Sequence, residues 1–305
     1  MTLLKLYFEG SDNTSEFFKN NVTYTNSDIE NCDYIISSSF ETGMPNRKVI
    51  QKALDRYRNT NKKVVVFLIS DFVGKLNIPN NVFLFRTSLY KSNQQKNEYL
   101  LPYIWEGFKE PFVPLNKTEK PIIGFCGTVK NNTGKRQSCI DKLNSSEFIT
   151  HNFITKQSFW GGKPHDKDLI DDFKNNILQS HFTLSNRGAG NFSMRFYQVL
   201  SLGRIPILLD SDMVFPFEDE INWDQYLIRA KTEKELVAKI PTWWNPKTND
   251  EIIQIEQKCK QIYDDYIAPN SFGKKITAFL LQHKNEVPAK ERSHFLSLLF
   301  SVIKK

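Results

Sequence analysis

The chain predicts an α/β protein of two Rossmann-like domains, and three stretches carry that prediction. Phe182 to Asp210 reads in order as strand, glycine turn, helix, glycine stop and strand. In the N-terminal half short apolar runs alternate with amphipathic ones. There Lys63-Val-Val-Val-Phe-Leu-Ile69 has the unbroken hydrophobicity of a strand buried on both faces. Between the halves, Glu110 to Pro121 is proline-rich and reads as a linker. The expected organisation is a first domain over 1–115 and a second over 116–270. Helices over 271–305 have apolar stripes that suit a return onto the first domain.

Taken in order, Leu3 to Phe8 is a first strand, with Glu9 to Asn13 as the loop at its carboxyl end. Tyr34 to Ser37 is a second strand, followed by the polar loop Ser38 to Gly43. Val49 to Tyr57 is an amphipathic helix, and the Lys63–Ile69 strand ends at Ser70-Asp71. Val82 to Phe85 is a further strand. Beyond the linker, Ile122 to Thr128 is a strand ending in a glycine loop, and Gly134-Lys-Arg136 follows. Asn152 to Thr155 is a short strand, and Asp166 to Leu178 is a helix leading into the central unit. After that unit, 234–240, 251–266, 272–282 and 294–303 read as helices, with Pro216, Phe217 and Trp223 packing loops.

The central unit is where the chemistry is expected. Phe182–Leu184 and Ile205–Leu209 are buried-type strands, and Gly203 stands where a helix ends. Gly188 and Gly190 permit positive φ and a close backbone approach to a ligand. Asn191 or Ser193 is the expected helix cap. A parallel βαβ unit presents ligand at the strand's carboxyl end, where helix N–H groups favour a phosphate. Arg187 and Arg195 add two fork-shaped donors suited to a diphosphate.

The run Asn186-Arg-Gly, Ser193-Met-Arg195-Phe-Tyr, Leu202-Gly-Arg-Ile-Pro-Ile-Leu-Leu-Asp210, Pro216-Phe217 and Ile221-Asn-Trp223 resembles the nucleotide-sugar domain of the exostosin family. Ile122 to Thr128 with Arg136 is similar to another island of that family, as, more loosely, is Phe85 to Tyr90 with Asn97 to Pro102. The resemblance implies two Rossmann-like domains facing a cleft, the GT-B arrangement. It also implies an inverting glycosyltransferase with a UDP-sugar donor (xylose, glucuronic acid, galactose or N-acetylglucosamine) and an oligosaccharide or glycoconjugate acceptor. On the donor side it carries over to Arg136, Arg187, Gly188, Gly190, Asn191, Ser193, Arg195, Gln198 and Asp210. Gln198 stands where the family usually has Glu, which bears on how sugar or ribose hydroxyls are held. Arg204 stands where it usually has Cys, a matter of packing. A GDP-fucose-dependent fucosyltransferase and a non-catalytic glycan-binding protein are the alternative readings.

A net charge of +7 on 305 residues suits an anionic ligand or surface. The basic residues are scattered, so nucleic acid is not an expected partner. No apolar stretch approaches a membrane span, although the charge leaves peripheral association open. The four cysteines show no C-x-x-C pairing and read as free thiols of a reducing, cytoplasmic setting. That makes the chain similar to a soluble bacterial or viral relative of a family whose eukaryotic members are usually anchored in the Golgi. The histidines lack zinc spacing, and neither a G-x-S-x-G elbow nor a Walker A loop occurs. Asp210-Ser-Asp212 has a metal-compatible spacing, but the two arginines with a helix N-terminus make a divalent cofactor unnecessary.

Inverting transfer needs a base for the acceptor hydroxyl. Carboxylates at strand ends of the first half are Glu9, Asp12, Glu41, Asp71 and Glu98. Asp71 is the first expectation because it follows the strongest strand, and Glu98 is the second.

Overall fold

The computed structural model describes residues 3–37, 40–41, 46–104, 107–129, 134–158 and 166–286. The expected helix over 294–303, and the side chain of Glu41, lie outside them. The chain forms two compact units: residues 1–86, 94–99 and 273–305 make one, 87–93 and 100–272 the other. The expected linker, 110–121, lies within the second unit.

In the first unit β1 (Leu4–Phe8), β2 (Tyr24–Asn26), β3 (Tyr34–Ile36), β4 (Phe40–Glu41), β5 (Lys63–Ile69), β6 (Val82–Arg86) and β7 (Glu98–Leu100) form one sheet. Its order is β2-β1-β3-β5-β6-β7, with β4 beside β5. The β1–β2, β1–β3, β3–β5 and β5–β6 pairings are all parallel. Residues 63–69 form the strand expected of them, buried from Lys63 to Leu68. The connection after β1, expected as loop, holds the helix α1 (Asn13–Asn21), started by a capping box between Asp12 and Ser15. A second helix, α2 (Arg47–Asp55), packs Ile50 and Leu54 inward.

In the second unit β8 (Ile122–Thr128), β9 (Thr150–Lys156), β10 (Phe182–Leu184), β11 (Ile205–Leu209) and β12 (Ile228–Ala230) form a parallel sheet ordered β12-β11-β10-β8-β9. Its helices are α3 (Lys135–Asn144), α4 (Lys167–Leu178), α5 (Met194–Ser201), α6 (Glu233–Trp244) and α7 (Asn249–Ile262). The core lies between strands and helices: Phe182, Phe196, Ile207, Trp244 and Ile252 are fully enclosed. The last helix, α8 (Pro269–Gln282), starts in this unit and continues from Gly273 in the first.

Counted within its own unit, the second sheet follows the order 2-1-3-4-5, while the first runs 2-1-3-5-6-7 with its fourth strand beside the fifth. Each reverses between its first and third strands, and the crevice outside the carboxyl ends at that reversal is where doubly wound sheets take ligands. Two Rossmann-like units are therefore what the chain forms, as the alternating pattern predicted.

Candidate active site

In the second sheet the reversal falls between β8 and β10, and two arginines span it. Arg195, one turn into α5, donates from Nη2 to the Cys126 carbonyl at 2.8 Å and from Nη1 to the Leu184 carbonyl at 3.4 Å. It therefore joins the ends of both strands. Arg136, near the start of α3, donates to the Thr128 carbonyl at 3.0 Å and to those of Asn186 and Arg187 at 3.3 and 3.4 Å. Both guanidinium groups lie over the Phe125 ring, at 4.5 Å for Arg195 and 6.0 Å for Arg136.

Among the described residues no carboxylate pairs with either arginine, and each keeps a buried Nε without an acceptor. Burial, with the Arg136 charge next, pulls Arg195 down to about 9. Burial lowers Arg136 as well. Two like charges in a desolvated crevice destabilise each other, and an anion placed between them removes that cost. Gly127, at φ +143°, makes room for this arrangement: a Cβ there would stand 2.8 Å from Arg195 Nη2.

The loop from Ser185 to Ser193 completes the site. Ser193 is the N-cap of α5 in extended conformation, yet its side chain makes no capping bond. Asn191, the other expected cap, donates to the Leu89 carbonyl at 3.1 Å and accepts from Arg187 Nη1 at 3.2 Å. Neither expected cap closes the helix with its side chain; the Phe196 N–H turns back to the Ser193 carbonyl at 3.1 Å, and the start of α5 carries no side-chain cap. Gly188 and Gly190 do not use the positive φ their sequence permits; among the described residues the glycines that do are Gly127, Gly134 and Gly203. The Gly188 N–H donates to the Phe192 carbonyl at 3.2 Å, closing the loop without a left-handed residue. Gly203 ends α5 at φ +67°, as expected.

Three further groups shape the loop, none of them among the expected donor residues. Asn186 Oδ1 accepts from Leu209 N at 2.8 Å while its Nδ2 donates to Cys139 Sγ at 3.1 Å, pinning the loop to β11 and α3. Tyr90 Oη accepts from Arg187 Nη1 at 2.6 Å, and Ser88 Oγ accepts from Asn191 N at 2.6 Å. Both belong to the strap 87–93, which leaves the first sheet after β6 and groups with the second unit. The only sequence signal for it was the weaker family-like island around Thr87 to Tyr90.

Asp210 is exposed at the end of β11, its Oδ1 accepting from Asp212 N at 2.9 Å. Asp212 accepts from Ser92 through N–H and Oγ, and those bonds hold its carboxyl below the usual range. Gln198 is buried on α5. Arg204 is more than filler: enclosed, it meets Glu256 at 3.4 Å and donates to the Leu178 carbonyl at 2.9 Å.

The base candidates sit in the first unit. Asp71 is exposed on the bend after β5. Glu98 is 2 % exposed and pairs with Arg86 at 2.7 Å, while its other oxygen accepts from Gln95 N at 3.1 Å. Such a buried pair fixes local structure.

The Exostosin GT47 domain model matches residues 79–241. Exostosin-1 of Drosophila melanogaster is 30% identical over 95 residues, 31% of this chain and 12% of its own length. Exostosin-1c of Danio rerio is 27% identical over 106 residues, 34% of this chain and 14% of its own. The match thus spans about an eighth of these relatives. Among solved structures, a glycosyltransferase from Rickettsia africae overlaps 93% of this chain and 98% of its own at TM-score 0.40 and 12% identity. TarM overlaps 81% of this chain and 54% of its own at TM-score 0.42 and 11% identity. Among the described residues no helix is long and apolar enough to cross a membrane.

Proposed function

This chain belongs to the exostosin GT47 family, and on that premise we propose that it is an inverting glycosyltransferase whose second unit binds a UDP-sugar. The acceptor is a glycan hydroxyl. One observation carries the donor reading: Arg136 and Arg195 lie across the β8–β10 reversal with no carboxylate partner among the described residues. A diphosphate supplies the missing negative charge. The start of α5, without a side-chain cap, and the Arg187 guanidinium, which lies against the Ala189 carbonyl, add donors to the same loop.

In the reaction these groups stabilise charge that grows on the leaving diphosphate as the glycosidic bond breaks. Arginines and helix N–H groups do this without a divalent cation, so transfer in EDTA should equal transfer with manganese. Loss of activity in EDTA with recovery on Mn²⁺ would move the site to Asp210 and Asp212.

The direct test is calorimetry with UDP, followed by donor turnover across UDP- and GDP-sugars. Arg187→Ala should weaken UDP binding by about 1.5–3 kcal/mol, the range for hydrogen bonds to charged groups. An unchanged dissociation constant in a folded variant would sink the assignment.

A further inference from the structure

Asp212, half of the metal-compatible pair in Asp210-Ser-Asp212, has no part in the donor reading, and its bonds give it another role. It lies on the turn after β11 at φ +58°, a left-handed conformation that Asp tolerates through local bonds of its short side chain. The Asp210 carboxylate steadies the turn by accepting from Asp212 N at 2.9 Å. The turn is then fastened to the strap 87–93. The Lys91 N–H donates to the Asp212 carbonyl at 2.8 Å. Ser92 donates its N–H at 3.0 Å and its hydroxyl at 2.5 Å to one oxygen, Asp212 Oδ2. Tyr90 bridges Met213 as an antiparallel pair, and Lys91 Nζ meets Glu218 at 2.6 Å.

The near end of the same strap lies on the donor loop. Ser88 and Leu89 are buried, and they accept the N–H and the side-chain amide of Asn191 at 2.6 and 3.1 Å. Tyr90 holds Arg187 twice: its hydroxyl accepts from Nη1, and its ring centroid lies 5.7 Å from the guanidinium carbon. The strap therefore joins the loops after β10 and β11, neighbouring strands of the second sheet, and every group on this path belongs to the second unit. Its two ends differ. Ser88 and Leu89 are enclosed, whereas Ser92 and Asp212 are exposed, so the carboxylate is the hold on the open end.

We infer that Asp212 is a positioning residue for the donor: its carboxylate fastens the strap at Ser92, and the strap in turn sets Arg187 and Asn191 for the diphosphate. Asp212 acts only through these groups. Because a single oxygen takes both Ser92 bonds, an amide oxygen can replace it. At a divalent metal site between two carboxylates the same replacement would remove half the negative charge, on which affinity for the metal depends. The effect on donor affinity rests on the proposed diphosphate reading, whereas the link from Asp212 to the donor loop is measurable without any ligand.

The test is amide hydrogen exchange on the ligand-free full chain, beside UDP calorimetry. Asp212→Gly removes the carboxylate and is at ease in the left-handed conformation, so the fold should survive. Exchange should quicken at Ser92 and also at Asn191, whose N–H is bonded to the strap. UDP affinity should fall about tenfold, the scale of one hydrogen bond to a charged group. Asp212→Asn, which returns an oxygen to Ser92, should recover most of both readouts. In the Arg187→Ala background Asp212→Gly should cost little further affinity, the non-additivity of residues in one network; a merely structural role would add its loss in full. Ser92→Ala, which removes the hydroxyl bond alone, should show the same pattern at smaller size and serves if Asp212→Gly does not fold. Unchanged exchange at Asn191 or full additivity with Arg187→Ala would overturn the assignment. So would an Asp212→Asn variant as impaired as Asp212→Gly, with Mn²⁺ restoring activity, which would make the carboxylate a metal ligand. If the wild type does not bind UDP, or Arg187→Ala binds it equally well, the diphosphate reading falls, and exchange at Asn191 alone decides whether Asp212 sets that loop.

Discussion

At Gly188 an added Cβ would meet no heavy atom within 4 Å, and the backbone is not left-handed there, so folding gives no reason for a glycine. A ligand does. Gly188→Ala should leave the melting temperature unchanged and weaken UDP binding about tenfold, roughly 1.4 kcal/mol. Unaltered affinity would mean that no phosphate lies against the loop. Tyr90 gives the complementary case. Its hydroxyl fixes one nitrogen of Arg187, so Tyr90→Phe should raise the donor KM several-fold while kcat holds, as expected when ground-state binding alone is lost. An unchanged KM would show that Arg187 is held well enough by Asn191 and the Ala189 carbonyl. At this scale the sequence told only half. Arg187 and Arg195 were legible because glycines and a helix start flank them. Tyr90 and Ser88 were not, because they lie about a hundred residues away and come to the loop only through the strap.

The elements were the more legible level, for a physical reason. β10 and β11 are enclosed on both faces, as are β5 from Lys63 to Leu68 and β8 from Ile123 to Cys126, and continuous burial leaves continuous hydrophobicity in the sequence. By contrast β2, at the sheet edge with two of its three residues exposed, carries no such pattern, and α1 was hidden because polar residues fill much of it. The joint at the start of β10 adds a pH dependence that no pattern announces. His181 is fully buried, with Nδ1 accepting from Ile122 N at 3.0 Å and Nε2 3.0 Å from the Asn116 carbonyl. That geometry requires a neutral ring, protonated on Nε2. Burial lowers its pKa and the Arg204 charge adds to the effect, against the opposing Asn116 bond. A histidine lowered on folding contributes stability that is complete above its unfolded value, about 6.5, and is lost as pH falls from there through the folded value. Wild-type melting temperature should therefore drop on acidification below pH 6.5 more steeply than that of His181→Asn. Parallel curves would remove His181 from the account.

On the scale of the whole molecule, the chain begins in the first unit, makes the second, and returns through α8 to finish the first. Ile276 and Leu280 are buried, and Phe279 packs edge-on to Phe83, Phe85 and Tyr99, with ring centroids 5.8, 5.5 and 4.8 Å away. Tyr34 donates to the Leu280 carbonyl at 2.7 Å, and Lys63 Nζ donates to the carbonyls of His283 and Lys284. Burying three such apolar side chains is worth about 1.5–3 kcal/mol each. Their sum is comparable with the entire stability of an ordinary domain, about 5–15 kcal/mol. Removing them would also strand the Tyr34 hydroxyl and the Lys63 ammonium in a half-closed core. A chain truncated after Phe272 should therefore lose the first unit, and limited proteolysis should cut it within residues 3–99. Resistance of that segment would show that the first sheet holds without α8. A gentler variant tests the same seam. A Cβ on Gly273 would come within 2.1 Å of the Asn21 carbonyl oxygen, which belongs to the backbone and has no side-chain freedom to yield. Gly273→Ala should cost about 1–3 kcal/mol in chemical denaturation, the usual range for overpacking. Because that strain falls on the first unit, UDP affinity measured below the transition should not change. A variant as stable as the wild type would mean that α8 can shift away from α1 at no cost, and the close seat of the returning helix would then not be what holds the first unit together.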